Sequence, residues 1–235
     1  MEESYTAIVL SAGSGRRMHS DTPKQYLELC GHPVLYYSLK AFEESGVDSV
    51  VLVAGKDDLA YCREQLVEKY SFRKVRAVVA GGAERYLSVY NGLQACGKTD
   101  YVLIHDGARP LLTKEDIQSS MECVRREKAC VLAVPVKDTI REAGPEGYAK
   151  RTPDRSTLWA MQTPQSFSRS LLMEAYRRLL ERQQEGEQPV VTDDAMIVEY
   201  SMNQSIRILP GHYRNMKITT PEDLMLAEIL MRQKN

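Results

Sequence analysis

The sequence holds few of the residues that build metal centres or disulfide frameworks. It has four scattered histidines and five widely spaced cysteines, and it contains no C-x-x-C pair. Neither residue type shows the spacing of a zinc site, and an odd number of distant cysteines is not a disulfide framework. We therefore predict reduced thiols in a cytoplasmic protein and no histidine-based metal centre.

The sequence also lacks an excess of charge and a long hydrophobic run. Its 31 Lys and Arg residues balance 32 Asp and Glu residues to a formal net charge of −1, which argues against a general nucleic-acid or polybasic membrane binder. No apolar run approaches the roughly 20 residues of a membrane span. The acidic start, Met1-Glu2-Glu3-Ser4, has no basic region of a signal peptide. We expect no nucleic-acid partner, no membrane association and no secretion.

What the sequence does contain is an alternation of short apolar runs with longer amphipathic stretches. The runs are rich in β-branched residues, which is typical of strands buried on both faces of a parallel sheet. The alternation predicts an α/β fold, in which ligands bind beyond the carboxyl ends of the strands. The predicted strands are Ala7–Leu10, Val50–Val53, Val75–Val79, Tyr101–Ile104 and Val131–Val136. The predicted helices are Pro33–Glu44, Asp57–Tyr70, Glu84–Cys96, Thr113–Glu127, Phe167–Glu185 and Pro221–Met231.

One segment interrupts this alternation. Lys137–Glu142 and Tyr148–Thr152 flank the turn sequence Ala143-Gly144-Pro145-Glu146-Gly147, and this pattern predicts a β-hairpin. A two-stranded hairpin is only marginally stable alone in water, so it needs a surface to pack on. The residues themselves leave a partner subunit and the chain's own surface as equal alternatives.

A glycine-rich loop, Leu10-Ser11-Ala12-Gly13-Ser14-Gly15-Arg16-Arg17-Met18, follows the first predicted strand. Small residues let backbone amides approach a phosphate, and the two arginines and Lys24 add the charge that a triphosphate needs. A plain tight turn with a solvated basic pair is the alternative. Met18 occupies the last glycine position of the dinucleotide fingerprint, and no P-loop pattern is present. These two facts disfavour a dehydrogenase and a P-loop kinase.

Polar residues also follow later strands. Asp106 is placed to hold Mg²⁺, with a turn carboxylate as the equal alternative, whereas we predict that His105 is a packed residue rather than a general base. Gly81-Gly82 allow close approach of a flat ligand, and Ser88 can hydrogen-bond to it; a helix-entry turn accounts for the same residues. For Asp193-Asp194 we favour a helix start over a metal site.

Taken together, several segments resemble the 2-C-methyl-D-erythritol 4-phosphate cytidylyltransferase family of the non-mevalonate isoprenoid pathway. Their order and spacing match that family over nearly the whole chain, and the His105–Pro110 and Asp154–Trp159 segments are the most specific. The matching segments are Leu10–Met18, Pro23–Tyr26, Gly81–Arg85 with Ser88, His105–Pro110, Asp154–Trp159, Gln162–Gln165, Thr192–Ala195 and Lys217–Leu224.

The resemblance implies a single Rossmann-like nucleotidyltransferase domain over residues 1–235, with a mostly parallel sheet flanked by helices. A protruding hairpin arm at about residues 137–156 would build a homodimer. The implied activity is transfer of CMP from the substrate CTP to 2-C-methyl-D-erythritol 4-phosphate, with Mg²⁺ as cofactor. Pyrophosphate would be released and 4-diphosphocytidyl-2-C-methyl-D-erythritol formed.

The resemblance also implies roles residue by residue. The implied nucleotide-binding positions are Ser11, Ala12, Gly13, Gly15, Arg17, Lys24, Gly82, Ser88 and Asp106. The implied acceptor-binding positions are Asp106, Gly107, Arg109, Thr139, Arg155, Thr163 and Lys217, with Thr139 and Arg155 reaching across from the neighbouring subunit's arm. The implied catalytic cations are Arg17, Lys24, Arg155 and Lys217, and the implied metal ligand is Asp106.

Two positions depart from the family pattern. Ser11 stands where alanine is common, and Ala83 stands where some members have an aspartate, which bears on recognition of the base if that side chain takes part. One alternative function is a ribitol-5-phosphate cytidylyltransferase, although the Asp154–Trp159 segment resembles the methylerythritol enzymes more. The other is a non-catalytic nucleotide-binding protein, against which the complete set of cations argues.

Overall fold

The structure, a computed structural model, describes residues 3–13, 16–18, 20, 22–187 and 189–233. Its strands are β1 (Tyr5–Ser11), β2 (Glu28–Leu29), β3 (His32–Pro33), β4 (Ser49–Ala54), β5 (Val75–Ala80), β6 (Tyr101–Asp106), β7 (Ala129–Pro135), β8 (Glu142–Ala143), β9 (Ala149–Arg151), β10 (Trp159–Ser168) and β11 (Arg207–Pro210). Its helices are α1 (Val34–Glu43), α2 (Leu59–Tyr61, continued as a π-helix over Cys62–Glu68), α3 (Arg85–Ala95), α4 (Lys114–Glu127), α5 (Arg169–Gln184), α6 (Asp194–Met202) and α7 (Pro221–Arg232).

Across the described residues, the central sheet has seven strands in the order β11-β7-β10-β6-β1-β4-β5. β1 pairs in parallel with β4 and β6, β5 pairs in parallel with β4, and β11 pairs in parallel with β7. β10 runs antiparallel between β6 and β7. The predicted α/β fold, with a mostly parallel sheet flanked by helices, is confirmed.

The two faces of the sheet are covered by different helices because successive strand residues point to opposite faces. Ala7 and Val9 of β1 pack in a cluster with residues of α1 and α4. Ile8, between them, packs with residues of α3, α5 and α6. The edge strand β5 is only half-buried, so the prediction of burial on both faces is wrong for Val75–Val79: an edge strand has a neighbour on one side only.

Each of the five predicted strands is present. Four of them extend one or two residues beyond the predicted bounds, and the Val131–Val136 strand begins two residues earlier and ends one residue earlier. The Phe167–Glu185 helix begins later than predicted, since the fully buried Phe167 belongs to β10 and Ser168, the last residue of β10, caps α5 through a bond from the Leu171 amide. The prediction did not include β10 or β11. β10 has a proline at its centre, Pro164, and its pairing with β7 shifts register between Met161 and Gln165; proline argues against a strand in a sequence pattern.

The predicted hairpin is confirmed as a separate two-stranded sheet, in which β8 pairs antiparallel with β9. Its strand residues are exposed. Among the described residues, no helix combines the length and the apolar character that crossing a membrane requires.

The register of the parallel strands places three loops at one edge of the sheet. Leu10 of β1 lies opposite Asp106 of β6, and Ser11 lies opposite Ala54 of β4. Ala54 in turn lies opposite Ala80, the last residue of β5. The glycine-rich loop, the Gly81-Gly82 turn and Asp106 therefore leave the sheet side by side.

Candidate functional site

A cavity of about 460 Å³ opens at this edge of the sheet. Its walls come from the loop after β1, the turn between β5 and α3, the end of β6 and the segment before α7. The lining includes most of the residues that the sequence singled out: Ser11, Ala12, Gly13, Arg17, Lys24, Gly82, Ser88, Asp106 and Lys217. Gly15 lies outside the described residues.

A buried glutamine, Gln25, hydrogen-bonds to the backbone of the first part of the glycine-rich loop. The Gln25 side-chain amide donates to the carbonyl oxygen of Ser11 at 2.7 Å and to that of Gly13 at 3.2 Å. The Ser11 hydroxyl donates to the Val53 carbonyl at 3.2 Å. These bonds hold the backbone of the loop where it lines the cavity. Gln25 stands beside Lys24 in the Pro23–Tyr26 segment, but residue type alone did not indicate this role.

The turn between β5 and α3 needs its glycines for close packing. A Cβ on Gly81 would lie 2.5 Å from the Ala12 Cβ, and a Cβ on Gly82 would lie 2.4 Å from the Leu87 Cβ. The Gly82 amide donates to the Ser88 hydroxyl at 3.0 Å, and that hydroxyl donates to the Glu84 carbonyl at 3.1 Å. Both interpretations of these residues therefore apply, since they form the turn into α3 and also line the cavity.

Three cations, Arg17, Lys24 and Lys217, line the cavity. Arg17 is exposed and Lys24 is half-buried, and the Lys24 ammonium donates to the Ile218 carbonyl at 2.8 Å. Burial, together with the charges of Lys217 and Arg17, lowers the pKa of Lys24 to about 8. Partly buried cations that repel one another are stabilised when an anion binds between them, so this arrangement favours anion binding.

Asp106 is the carboxylate among these cations, and it is buried. Its Oδ2 lies 2.8 Å from the Lys217 Nζ and 4.0 Å from the Arg109 Nε, and its Oδ1 lies 3.4 Å from the Arg85 Nε. Burial alone would raise the pKa of Asp106, but the charges of Arg85, Lys217 and Arg109 outweigh it and hold the pKa well below its usual range. Asp106 is therefore ionised at every physiological pH.

His105 is fully buried behind Asp106, as predicted for a packed residue. Its ring contacts Phe42, with centroids 5.5 Å apart. Nε2 lies 3.3 Å from the Arg109 carbonyl oxygen, which can only accept, so Nε2 carries the proton. Nδ1 then accepts from the Thr163 hydroxyl at 2.9 Å. Burial lowers the pKa of His105 to about 4, which keeps the ring neutral and makes it a structural support.

Three predicted acceptor positions, Gly107, Arg109 and Thr163, are not among the residues that line the cavity. The Thr163 hydroxyl accepts from the Asp106 amide at 3.1 Å. Buried Arg109 donates from Nη1 to the Asn215 carbonyl at 2.6 Å. A Cβ on Gly107 would lie 2.6 Å from the Leu35 Cδ1, which gives this glycine a packing role.

Asp193 and Asp194 begin α6, in agreement with the favoured interpretation. Asp193 is the N-cap residue and accepts from the Met196 amide. Within the described residues, no three His, Cys, Asp or Glu side chains are grouped as a metal site. The sequence did not assign a role to Arg85, which donates to Asp194 at 2.7 Å as well as facing Asp106.

The sequence model of the IspD family, described as 2-C-methyl-D-erythritol 4-phosphate cytidylyltransferase, matches residues 5–233. The chain belongs to the 2-C-methyl-D-erythritol 4-phosphate cytidylyltransferase family.

Curated relatives with that name are similar to the chain over almost their full length. The protein of Lachnospira eligens is 50% identical over 229 residues, which cover 97% of this chain and 99% of the relative. That of Lachnoclostridium phytofermentans is 48% identical over 231 residues, covering 98% and 97%. Among solved structures, the 4-diphosphocytidyl-2C-methyl-D-erythritol synthase of Anaerococcus prevotii superposes with a TM-score of 0.83 at 31% identity, covering 98% of this chain and 96% of that one.

Two positions that the family resemblance implies are not among the residues lining the cavity of their own chain. Thr139 and Arg155 are exposed residues of the arm, and the Arg155 Nη1 donates to the Lys137 carbonyl at 2.9 Å. Ala83, which departs from the family pattern, does line the cavity.

Proposed function

We propose that this protein transfers CMP from CTP to 2-C-methyl-D-erythritol 4-phosphate, releasing pyrophosphate and forming 4-diphosphocytidyl-2-C-methyl-D-erythritol. One observation carries the proposal: Arg17 and Lys24, together with Lys217 from a distant part of the sequence, line one cavity with the glycine-rich loop and the ionised Asp106. Family membership supports this acceptor over ribitol 5-phosphate and an active enzyme over a non-catalytic binder.

The reaction joins two anions, and their repulsion is the main obstacle. A phosphate oxygen of the acceptor attacks the α-phosphorus of CTP in line with the departing pyrophosphate. The attacking phosphate is already ionised near neutral pH, so no general base is needed, and the neutral, buried His105 is consistent with this. Catalysis then rests on positioning and on electrostatic stabilisation.

The cations divide between the two substrates in this proposal. Arg17 and Lys24 bind the triphosphate and stabilise the charge that develops on it, while Lys217 binds the acceptor phosphate. Ser11, Ala12, Gly13 and Gly15 hold the nucleotide, and Gly82 and Ser88 hold its base. Gly107, Arg109 and Thr163 shape the acceptor side, in part by holding Asp106 in place.

We include Mg²⁺ in the proposal, with Asp106 as its protein ligand. Magnesium prefers one or two carboxylates together with phosphate oxygens and water, and a single ionised carboxylate in a phosphate-binding cavity fits that preference. When bound, the ion supplies positive charge to the phosphate oxygens. The Lys217 ammonium lies 2.8 Å from Oδ2, so ligation through that oxygen would compete with Lys217.

We further propose one nucleotidyltransferase domain that forms a homodimer through the arm over residues 137–156, in the cytoplasm. The arm exposes Tyr148 to 77% and Ile140 to 40%, and a lone hairpin is only marginally stable. Thr139 and Arg155 would reach the partner's acceptor site. Mixing inactive Arg155→Ala and Lys24→Ala proteins should then restore activity in heterodimers, whereas mixtures that stay inactive would contradict sharing of the site.

The activity test is pyrophosphate release with each combination of CTP, UTP or ATP and either 2-C-methyl-D-erythritol 4-phosphate or ribitol 5-phosphate. We expect rapid release only with CTP and the methylerythritol phosphate, in the presence of Mg²⁺. A faster reaction with ribitol 5-phosphate would overturn the acceptor assignment. Nucleotide binding without release for any pair would support a non-catalytic binder instead.

A further inference from the structure

Arg85 contacts two carboxylates, one that lines the cavity and one that is buried elsewhere in the protein. Its Nη1 lies 2.7 Å from the Asp194 Oδ2, and its Nε lies 3.4 Å from the Asp106 Oδ1. The Arg85 side chain keeps 30% of its surface exposed, whereas the Asp194 side chain is fully buried. One guanidinium therefore spans a carboxylate in the cavity and a carboxylate in the protein interior.

Asp194 is a rigid anchor for this guanidinium. Its other oxygen, Oδ1, accepts from the buried Tyr176 hydroxyl at 2.7 Å. Its backbone amide donates to the Gln165 Oε1 at 3.0 Å, at the first turn of α6. Asp194 is therefore held in place by α5, β10 and its own helix, and it fixes the guanidinium of Arg85.

The two carboxylate oxygens of Asp106 contact different cations, and this matters for the cavity. Oδ1 faces Arg85, and Oδ2 accepts from Lys217. Without Arg85, Lys217 and Arg109 would remain beside Asp106, and Lys217, which is nearer to Oδ2 (2.8 Å against 4.0 Å), would be bound more strongly to it. An arginine fork can contact two carboxylates at once with fixed geometry, which a lysine ammonium does less well.

We propose that Arg85 is a positioning residue: tethered by Asp194, it orients Asp106 and so leaves Lys217 available to the acceptor phosphate. This inference rests on the acceptor role of Lys217 in the proposed function. Asp194 acts through Arg85 and touches no substrate.

The test compares Arg85→Gln, Asp194→Asn and the double variant, with Arg177→Gln as control. Arg177 is a surface arginine of α5 that pairs with Glu174 and Glu181. For each protein, kcat and KM are measured for both substrates, together with the thermal midpoint. The double variant is needed because Arg85→Gln alone leaves the buried Asp194 charge without its cation, which lowers stability.

We expect Arg85→Gln to lower kcat/KM for the acceptor by on the order of 10-fold or more, with a much smaller change in KM for CTP. Asp194→Asn should show the same acceptor defect and should add nothing to it in the double variant. The double variant should regain thermal stability, because both charges are gone, but not acceptor use. The control should match the wild-type protein.

Recovery of both stability and wild-type kcat/KM in the double variant would overturn the inference, because Arg85 would then serve only to neutralise Asp194. A normal acceptor kcat/KM in Asp194→Asn would overturn the tether. If the wild-type protein releases no pyrophosphate with CTP and the acceptor, the proposed function fails, and this inference fails with it. Active wild-type protein with unaffected variants refutes the role of Arg85 alone.

Discussion

The Lys24 ammonium donates a hydrogen bond to the carbonyl oxygen of Ile218, 2.8 Å away and 194 residues later in the chain. Ile218 is fully buried and follows Lys217 directly. This bond ties the segment after the glycine-rich loop to the segment before α7, so that Lys24 and Lys217 line the same cavity. Their proximity has consequences that can be measured.

The first prediction concerns pH. Lys24, with a pKa of about 8 in the free protein, is charged below pH 8 and loses its charge as the pH rises above it. A bound triphosphate favours the charged form, so CTP affinity should be constant below pH 8 and fall by up to about tenfold per pH unit above it. Calorimetric titration of CTP between pH 6.5 and pH 9.5 measures this, and an affinity that stays flat to pH 9.5 would contradict it. Lys24→Arg, which stays charged throughout, should lose the inflection.

The second prediction concerns the two cations assigned to the triphosphate. Arg17→Ala or Lys24→Ala should lower kcat by on the order of 10²-fold, because each removes a preorganised charge from the transition state. Steady-state pyrophosphate release measures the effect. Lys98→Ala serves as control, since Lys98 is an exposed residue just before β6, at the opposite edge of the sheet. Unchanged turnover in both cavity variants would remove these residues from the transition state.

The third prediction separates the two substrates. Lys217→Ala should weaken use of the acceptor phosphate more than binding of CTP. Asp106 would remain ionised in this variant because Arg85 and Arg109 still face it. Titration calorimetry with each substrate alone is the measurement. Equal losses for both substrates would show that Lys217 is not specific to the acceptor.

The fourth prediction tests the support of the glycine-rich loop. Gln25→Met keeps the size of the side chain but removes the donors to the Ser11 and Gly13 carbonyls. Two carbonyls lose a partner, at about 1 kcal/mol each, and we expect KM for CTP to rise about tenfold or more, with little change for the acceptor. Gln118→Met, at an exposed position of α4, is the control. A CTP KM equal to that of the control would mean that the loop keeps its conformation without Gln25.

The fifth prediction concerns Gly107, which the family resemblance places at the acceptor. A Cβ there would meet the Leu35 Cδ1 at 2.6 Å and the Leu10 carbonyl oxygen at 2.9 Å. Gly107→Ala should therefore lower the free energy of unfolding by about 1–3 kcal/mol, measured by urea titration. Gly46→Ala should change it less, because the nearest atom is the flexible end of Met121 at 3.4 Å. Full stability with lost acceptor binding would instead favour a direct contact.

Much of the fold was predictable because its signals are local. Runs such as Val50–Val53 and the helical spacing of Thr113–Glu127 correctly predicted a strand and a helix, with small errors at the ends. β10 was not predictable, because Pro164 and its polar neighbours do not form a strand pattern. They become a strand only between β6 and β7, where both sides of the backbone find partners.

The candidate site likewise has residues that the sequence could predict and residues that it could not. The glycine-rich loop and Asp106 were identifiable because each follows a recognisable strand. The contacts of Arg85 and Gln25 could not be identified from the sequence, because arginine and glutamine are also common at ordinary surface and loop positions. Their roles depend on partners that sequence spacing does not reveal, such as Asp194, 109 residues from Arg85.

The sequence by itself determined the alternation of strands and helices, the hairpin and the loops that would carry chemistry, since hydrophobic periodicity and turn residues act over a few positions. Only the tertiary structure decided which strands are neighbours, and hence that Asp106 lies opposite Leu10 while Lys217 reaches it from 111 residues away. Strand order and side-chain convergence depend on how whole layers pack, and no local pattern encodes that arrangement.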